Sequence, residues 1–178
     1  MRVINVAAAQ LGPIHKADSR EAVVKRMIAL MDEAKAKGAD LIVYPELALT
    51  TFFPRWYMED QAEVDTWFER EMPNAATRPL FERAAHHQIA MNFGYPELTP
   101  DGHHFNTSIL TDKSGKIVGK YRKVHLPGHS EFDTGARSSI WRSATSSRAI
   151  SVSMFGVPSA ASSAWPSATI GAGRRPIA

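Results

Sequence analysis

The chain of 178 residues contains no cysteine. This absence excludes a disulfide framework and is compatible with a protein of a reducing compartment. No apolar run approaches the roughly 20 residues that a membrane-spanning helix needs. The first ten residues carry one positive charge and a short apolar run, which is typical of a first strand rather than a signal peptide. We therefore expect a soluble, cytoplasmic protein with no membrane partner.

The end of the chain differs in composition from the rest. Residues 136–178 contain no Leu, Lys, His, Asp or Glu, but they hold eleven Ser, nine Ala and five Arg. The first 135 residues carry a net charge of −2, so the excess of positive charge belongs to this tail. Because its Arg residues are scattered among few aromatics, a nucleic-acid partner is not expected. We predict a domain over residues 1–135 and a tail over residues 136–178 that is disordered, since it buries too little apolar surface.

Strand and helix patterns alternate in the first region. Apolar runs predict strands over residues 3–10 and 39–44, and apolar positions at helical spacing predict a helix between them. Asp18 or Ser19 can cap that helix, and Lys37-Gly38 can close it. A second helix is predicted around 79–87 and a strand over 89–95, and turns at 100–102 and 112–116 predict antiparallel hairpins. The aromatic run over 52–57 is expected in a core or interface. The fold class is α/β.

Glu46 directly follows the strand predicted over residues 39–44. Open α/β sheets bind their ligands at the carboxyl ends of strands, where a general base is useful. Because Pro45 and Leu47 flank this carboxylate, desolvation is expected to raise its pKa toward the range suited to proton transfer. An exposed glutamate in a loop is the alternative, and composition favours neither.

Lys123 ends a string of basic residues that also includes Lys116, Lys120 and Arg122. A solvated strand face is one interpretation of this string, and it is favoured for Lys116. A lysine beside a carboxylate can instead stabilise the oxyanion of a tetrahedral intermediate.

The histidines offer a weak indication of a metal site. His125 and His129 flank the sequence Leu-Pro-Gly, but no third ligand lies near them in the chain, so ordinary loop histidines are favoured. The adjacent pairs are expected at the surface; they are His86-His87 and His103-His104.

Three segments together resemble the nitrilase superfamily of carbon-nitrogen hydrolases. They are residues 41–56, LIVYPELALTTFFPRW, residues 105–110, FNTSIL, and residues 112–129, DKSGKIVGKYRKVHLPGH. The resemblance runs from residue 3 to about residue 133 and covers roughly the N-terminal half of such an enzyme. Within the superfamily, the chain is most similar to the N-carbamoyl-D-amino acid amidohydrolases.

This resemblance implies a fold, a reaction and three site residues. The fold is the N-terminal part of an α-β-β-α sandwich that pairs into homo-oligomers, dimers or tetramers, without a metal or organic cofactor. By resemblance, Glu46 is the general base, Lys123 stabilises the oxyanion and His125 belongs to the substrate pocket. The small-molecule substrate is an N-carbamoyl-D-amino acid. A cysteine thiolate attacks its carbamoyl carbon, ammonia leaves, and water releases carbon dioxide and the D-amino acid. Without cysteine, the chain is expected to be inactive.

A frameshift accounts for the missing nucleophile. In a shifted reading frame of the coding DNA, each new codon joins the third base of one codon to the first two bases of the next. With permissible third bases, residues 166–178 then decode as ICNDRRWPETYR. This sequence resembles the nucleophile motif of the family. Its cysteine codon straddles Ser167 and Ala168. We hypothesise that one base was lost, or two gained, just before Ala136. The truncated domain is then expected to expose an apolar sheet face and strand edges.

Two other functions stay open at this point. An amidase of another nitrilase branch is the first, although the sequence TTFFPRW over residues 50–56 argues against it. A non-catalytic interaction module that retains the dimer surface of the fold is the second, and it requires a folded, soluble chain.

Overall fold

One five-stranded sheet organises the protein, in a computed structural model that describes residues 3–56 and 58–124. Its strands are β1 (Val6–Ala8), β2 (Leu41–Val43), β3 (Ala90–Leu98), β4 (His104–Thr111) and β5 (Ile117–Arg122). They lie in the order of the chain. The first three strands pair in parallel, whereas β3, β4 and β5 pair antiparallel as two hairpins. The predictions of an α/β fold and of added hairpins are confirmed.

Helix α1 (Arg20–Ala36) makes the crossover between β1 and β2. Of the two predicted caps, Ser19 is the one used, since its hydroxyl accepts the backbone N–H of Ala22 at 3.2 Å. The helix closes at Lys37 and is followed by Gly38 at φ +80°, a conformation that glycine adopts without a steric cost. The ends of α1 are therefore where the sequence places them.

The main core lies between the sheet and two helices, α1 and α3 (Arg78–His87). It is continuous from the buried positions of α1 to one face of β2, β3 and β4, where Ile42, Met91 and Phe93 are almost fully buried. Tyr44 crosses this layer and donates its hydroxyl to the carbonyl of Met27 at 2.7 Å. Burial raises the pKa of Tyr44, so the hydroxyl stays protonated.

The opposite face of the sheet is much more open to solvent. Val6 is 59% exposed and Tyr121 is 49% exposed. Ser108 and Leu110 on β4 are only half-buried. Among the described residues, this face of the sheet therefore carries exposed apolar side chains.

A second, smaller core surrounds the aromatic run. It contains the short helix α2 (Gln61–Asp65) and a 3₁₀ turn at Phe53–Arg55, and its buried members are Phe53, Met58, Val64, Phe68 and Leu98. Phe53 stacks on Trp67 with ring centroids 5.9 Å apart. The expectation of a core is correct for Phe53, whereas Phe52 is 58% exposed.

Across the described ranges, no helix combines the length and the apolar character needed to cross a bilayer. The disorder predicted for residues 136–178 concerns residues outside these ranges, and it stays a prediction.

Candidate active site

Glu46 lies on a tight turn that leaves the carboxyl end of β2. The backbone of Tyr44 still bonds to β3, with its N–H 2.8 Å from the carbonyl of Asn92. Leu47 then adopts φ +50°, in the left-handed region that non-glycine residues rarely occupy. Ala48 returns to β3 and donates its N–H to the carbonyl of Gly94 at 2.8 Å. This turn projects Glu46 beyond the end of the strand, as its sequence position predicts.

The turn can lie so close to β3 because residue 94 has no side chain. A Cβ atom placed on Gly94 would come within 3.0 Å of the backbone nitrogen of Leu47 and 3.1 Å of the Cα of Glu46. Backbone atoms cannot rotate away from such a contact. Gly94 therefore allows the close approach that positions Glu46.

Lys123 reaches the same place from the end of β5. Its Nζ donates to Oε1 of Glu46 at 2.8 Å, across 77 residues of chain. Strand alternation explains why this lysine, among several basic neighbours, faces the site. Tyr121 and Lys123 lie on the open face of the sheet, whereas Lys120 and Arg122 point to the other face and bind Glu97. The structure thus brings the two predicted catalytic residues together.

Asn106 is a third site residue, to which the sequence analysis assigned no role. It lies on β4, is 6% exposed, and donates its Nδ2 to Oε1 of Glu46 at 2.5 Å. Its backbone carbonyl also accepts the N–H of Lys123 at 2.8 Å. The strand also contains His104, Thr107, Ser108 and Thr111, so its sequence did not single out Asn106.

The pKa of Glu46 is lowered, and the prediction of a raised value is wrong. The hydrogen bond from Lys123 is the largest cause, and it acts against the partial burial that raises the pKa; the hydrogen bond from Asn106 adds to the lowering. The side chain of Glu46 is 58% exposed, so desolvation is incomplete. Glu46 is therefore an ionised carboxylate at neutral pH, ready to accept a proton.

An open cleft of about 330 Å³ lies over these groups. Its lining comes from the turn, β3, β4 and the end of β5, and consists of Tyr44, Pro45, Glu46, Asn92, Gly94, Asn106, Ser108, Tyr121 and Lys123. The volume falls at the small end of the range for small-molecule sites. The cleft has a charged end at Glu46 and Lys123 and a neutral polar floor at Asn92 and Ser108.

The histidine predictions have mixed outcomes. His104 was expected at the surface, but its side chain is only 11% exposed and its Nε2 lies 2.7 Å from Oδ1 of Asp65. That prediction is wrong because the ring packs edge-on against Phe68 in the smaller core. His125 and His129 lie outside the described residues, so the pocket role implied for His125 stays a prediction. Within residues 3–56 and 58–124, no group of three or more potential metal ligands occurs.

The described site can supply a base and a cation, but not a nucleophile. Glu46 can accept a proton, and the Lys123 ammonium can stabilise a developing negative charge on an oxygen bound nearby. The sequence contains no thiol. The catalytic roles of Glu46 and Lys123 accordingly stay predictions, although their geometry fits them.

Comparison with known proteins identifies the family. Residues 5–162 match the family described as carbon-nitrogen hydrolase. This match covers most of the chain, and the protein belongs to the carbon-nitrogen hydrolase family, within the nitrilase superfamily.

Individual relatives are similar over part of their length. A nitrilase of Paraburkholderia phymatum is 31% identical over 140 residues, which are 75% of this chain and 40% of that protein. A glutamine-dependent NAD(+) synthetase of Acinetobacter baylyi is 30% identical over 135 residues, 75% of this chain and 22% of that protein. The chain thus spans less than half the length of either relative.

A solved structure supports the fold. The crystal structure of an amidase from Nesterenkonia sp. superposes with a TM-score of 0.57 at 23% identity, over 71% of this chain and 44% of that chain. The fold is therefore of the nitrilase type, represented by its N-terminal part.

Proposed function

We propose that this chain is the N-terminal part of a hydrolase of N-carbamoyl-D-amino acids. In this proposal Glu46 is the general base, Lys123 stabilises the oxyanion, and the nucleophilic cysteine is encoded in the other reading frame of the tail. The chain as it stands is then inactive, because an attacking thiolate is missing.

The observation that carries the proposal is the contact between Glu46 and Lys123. A carboxylate and an ammonium lie 2.8 Å apart at the charged end of an open cleft. The carboxylate can take the proton of a thiol, and the lysine can then stabilise the negative oxygen that forms when the thiolate attacks a carbonyl. Such a pair suits the hydrolysis of a carbon-nitrogen bond, which is the chemistry that names the family.

The substrate class rests on the sequence of the turn after Glu46 and on the loop after Lys123. Residues 50–56 and 112–129 resemble the N-carbamoyl-D-amino acid amidohydrolases. The preference for the D-isomer comes from this resemblance alone. The similar proteins named as an amidase and a nitrilase suggest the alternative substrates, which are simple amides and nitriles.

Resequencing the gene from the His125 codon to well past the stop codon is the first test. We expect a base missing or added before codon 136, and a continuous second half that contains Cys-Asn-Asp-Arg-Arg-Trp-Pro in the restored frame. An intact frame with no such coding downstream would contradict the proposal.

The frame-restored protein then tests the activity. We expect release of D-amino acid from N-carbamoyl-D-amino acids, with slower or no release from the L-isomers and from simple amides. Replacing Glu46 with glutamine should lower kcat by about 10² to 10⁴-fold, and replacing Lys123 with alanine by about 10² to 10³-fold. Matched substitutions at exposed helix positions, Glu82→Gln and Lys25→Ala, should leave kcat unchanged. Activity on simple amides only would assign another branch of the family.

A further inference from the structure

The two donors that hold Glu46 meet on one oxygen of its carboxylate. Asn106 Nδ2 lies 2.5 Å from Oε1, and Lys123 Nζ lies 2.8 Å from the same atom. Within the described part of the chain, Oε2 receives neither of these bonds nor another one. Since the Glu46 side chain is 58% exposed and lines the cleft, its two oxygens are in different surroundings.

Asn106 is the more rigid of the two donors. It is 6% exposed and lies within β4, where it pairs with Pro96 of β3. Its own carbonyl accepts the backbone N–H of Lys123 at 2.8 Å. Lys123, by contrast, carries its ammonium on a flexible four-carbon chain that is 31% exposed. Asn106 therefore fixes the orientation of the Glu46 carboxylate through its side chain. Through its carbonyl it also fixes the backbone of Lys123, whose ammonium pairs with Glu46.

We propose that Asn106 is a positioning residue that fixes Oε1 of Glu46 and so makes Oε2 the oxygen that exchanges protons with the reacting groups. This inference rests on the proposed function. In the reaction, Oε2 takes the proton of the attacking thiol and the S–H bonding pair stays on sulfur. As the sulfur bonds to the carbonyl carbon, the C=O π pair moves onto the oxygen, where Lys123 stabilises it; that pair reforms the C=O bond when the nitrogen leaves. The neutral carboxyl then returns the proton to the departing nitrogen as the carbon-nitrogen bond breaks, so protons and charge balance.

An amide suits this position better than an acid. An aspartate at residue 106 would place a second negative charge against Oε1, and like charges at that distance disfavour ionisation of both groups. The amide donates a hydrogen bond while it adds no charge, so Glu46 stays ionised and keeps a defined orientation.

The test is a titration of the chain itself, which needs no nucleophile. Carboxyl ¹³C shifts of Glu46 are followed against pH in the unmodified chain and in Asn106→Ala and Asn106→Asp, with Glu46→Gln assigning the resonance. We expect both Asn106 variants to raise the titration midpoint, because each removes a hydrogen bond to the ionised form and the aspartate also adds a negative charge beside it. The matched control is Asn92→Ala, which loses bonds to Ser108 and Ile109 on the same cleft floor and should leave the midpoint in place.

An unchanged midpoint in Asn106→Ala, with native shift dispersion, overturns the proposal. Should the alanine variant fail to fold, Asn106→Leu, a neutral side chain of similar size, takes its place, because a raised midpoint in Asn106→Asp also follows from the added charge. In the frame-restored enzyme, Asn106→Ala should lower kcat on the order of 10²-fold, as expected for a misplaced catalytic group, with KM nearly unchanged. A raised midpoint in a frame-restored protein that hydrolyses no carbamoyl substrate would refute the proposed function but not the positioning of Glu46.

Discussion

Replacing Gly94 with alanine is expected to destabilise the protein by about 1–3 kcal/mol, the usual cost of an overpacked site. The new methyl group would lie 3.0 Å from the Leu47 nitrogen and 3.1 Å from the Glu46 Cα. Both neighbours are backbone atoms in a turn that already contains a left-handed residue. The turn must move away from β3 to relieve the contact, and Glu46 moves with it. Urea denaturation measures the loss of stability as a lower midpoint.

Gly119→Ala provides a control of the opposite sign. A Cβ atom on Gly119 in β5 would meet only the Leu110 side chain, at an ordinary contact distance of 3.5 Å. Since glycine weakens a strand by roughly 0.5–1 kcal/mol relative to alanine, this variant should be as stable as the unmodified chain or slightly more so. Equal midpoints for the two variants would contradict the close approach at Gly94.

Local patterns predicted the regular elements because they depend on residues adjacent in sequence. Helix α1 is capped by Ser19 and ends before Lys37-Gly38, as predicted, and both hairpins turn where glycine and aspartate occur. The first strand is shorter than the predicted 3–10, because it pairs with only three residues of β2. The helix α2 and the 3₁₀ turn were not predicted, since segments of five and three residues are too short to show a period.

The sequence pointed to Glu46 and Lys123, which the structure brings into contact, but it predicted neither the third residue of the site nor its electrostatics. Glu46 and Lys123 lie within motifs that can be recognised in the sequence alone. The direction of the Glu46 pKa was predicted wrongly because its chain neighbours, Pro45 and Leu47, do not include the groups that contact the carboxylate in the fold. The groups that lower it come from β4 and the end of β5, 60 and 77 residues away. Asn106 was overlooked for the same reason.

The sequence also did not distinguish the roles of the basic residues before Lys123. Lys120 and Arg122 bind Glu97, a carboxylate of β3 that is 7% exposed. Thr107 completes the group by donating its hydroxyl to Oε2 of Glu97 at 2.7 Å. These residues form a structural ion cluster on the helix-covered side of the sheet, separate from the cleft.

The Glu97 cluster is expected to make stability depend on pH in the acid range. Burial alone would raise the pKa of Glu97, but the hydrogen bonds from Arg122, Lys120 and Thr107 lower it more, to about 2 from an ordinary 4.5. Because the folded pKa is depressed, the stabilisation is complete above about pH 4.5 and is lost as the pH falls toward 2. We expect it to be worth about 2–3 kcal/mol, allowing for solvent screening at Lys120, which is 38% exposed.

Glu97→Gln tests this expectation most directly. At pH 7 the variant should lose about the same 2–3 kcal/mol, because glutamine gives Lys120 and Arg122 no counterion and both cations are partly exposed to solvent. As the pH falls from 4.5 to 2, the unmodified chain loses its Glu97 contribution and the two stability curves should converge. Urea denaturation at a series of pH values measures both curves. Glu33→Gln, which removes a surface pair with Lys37, should follow the unmodified chain closely. Parallel curves for Glu97→Gln and the unmodified chain would show that Glu97 has the same pKa in the folded and unfolded states.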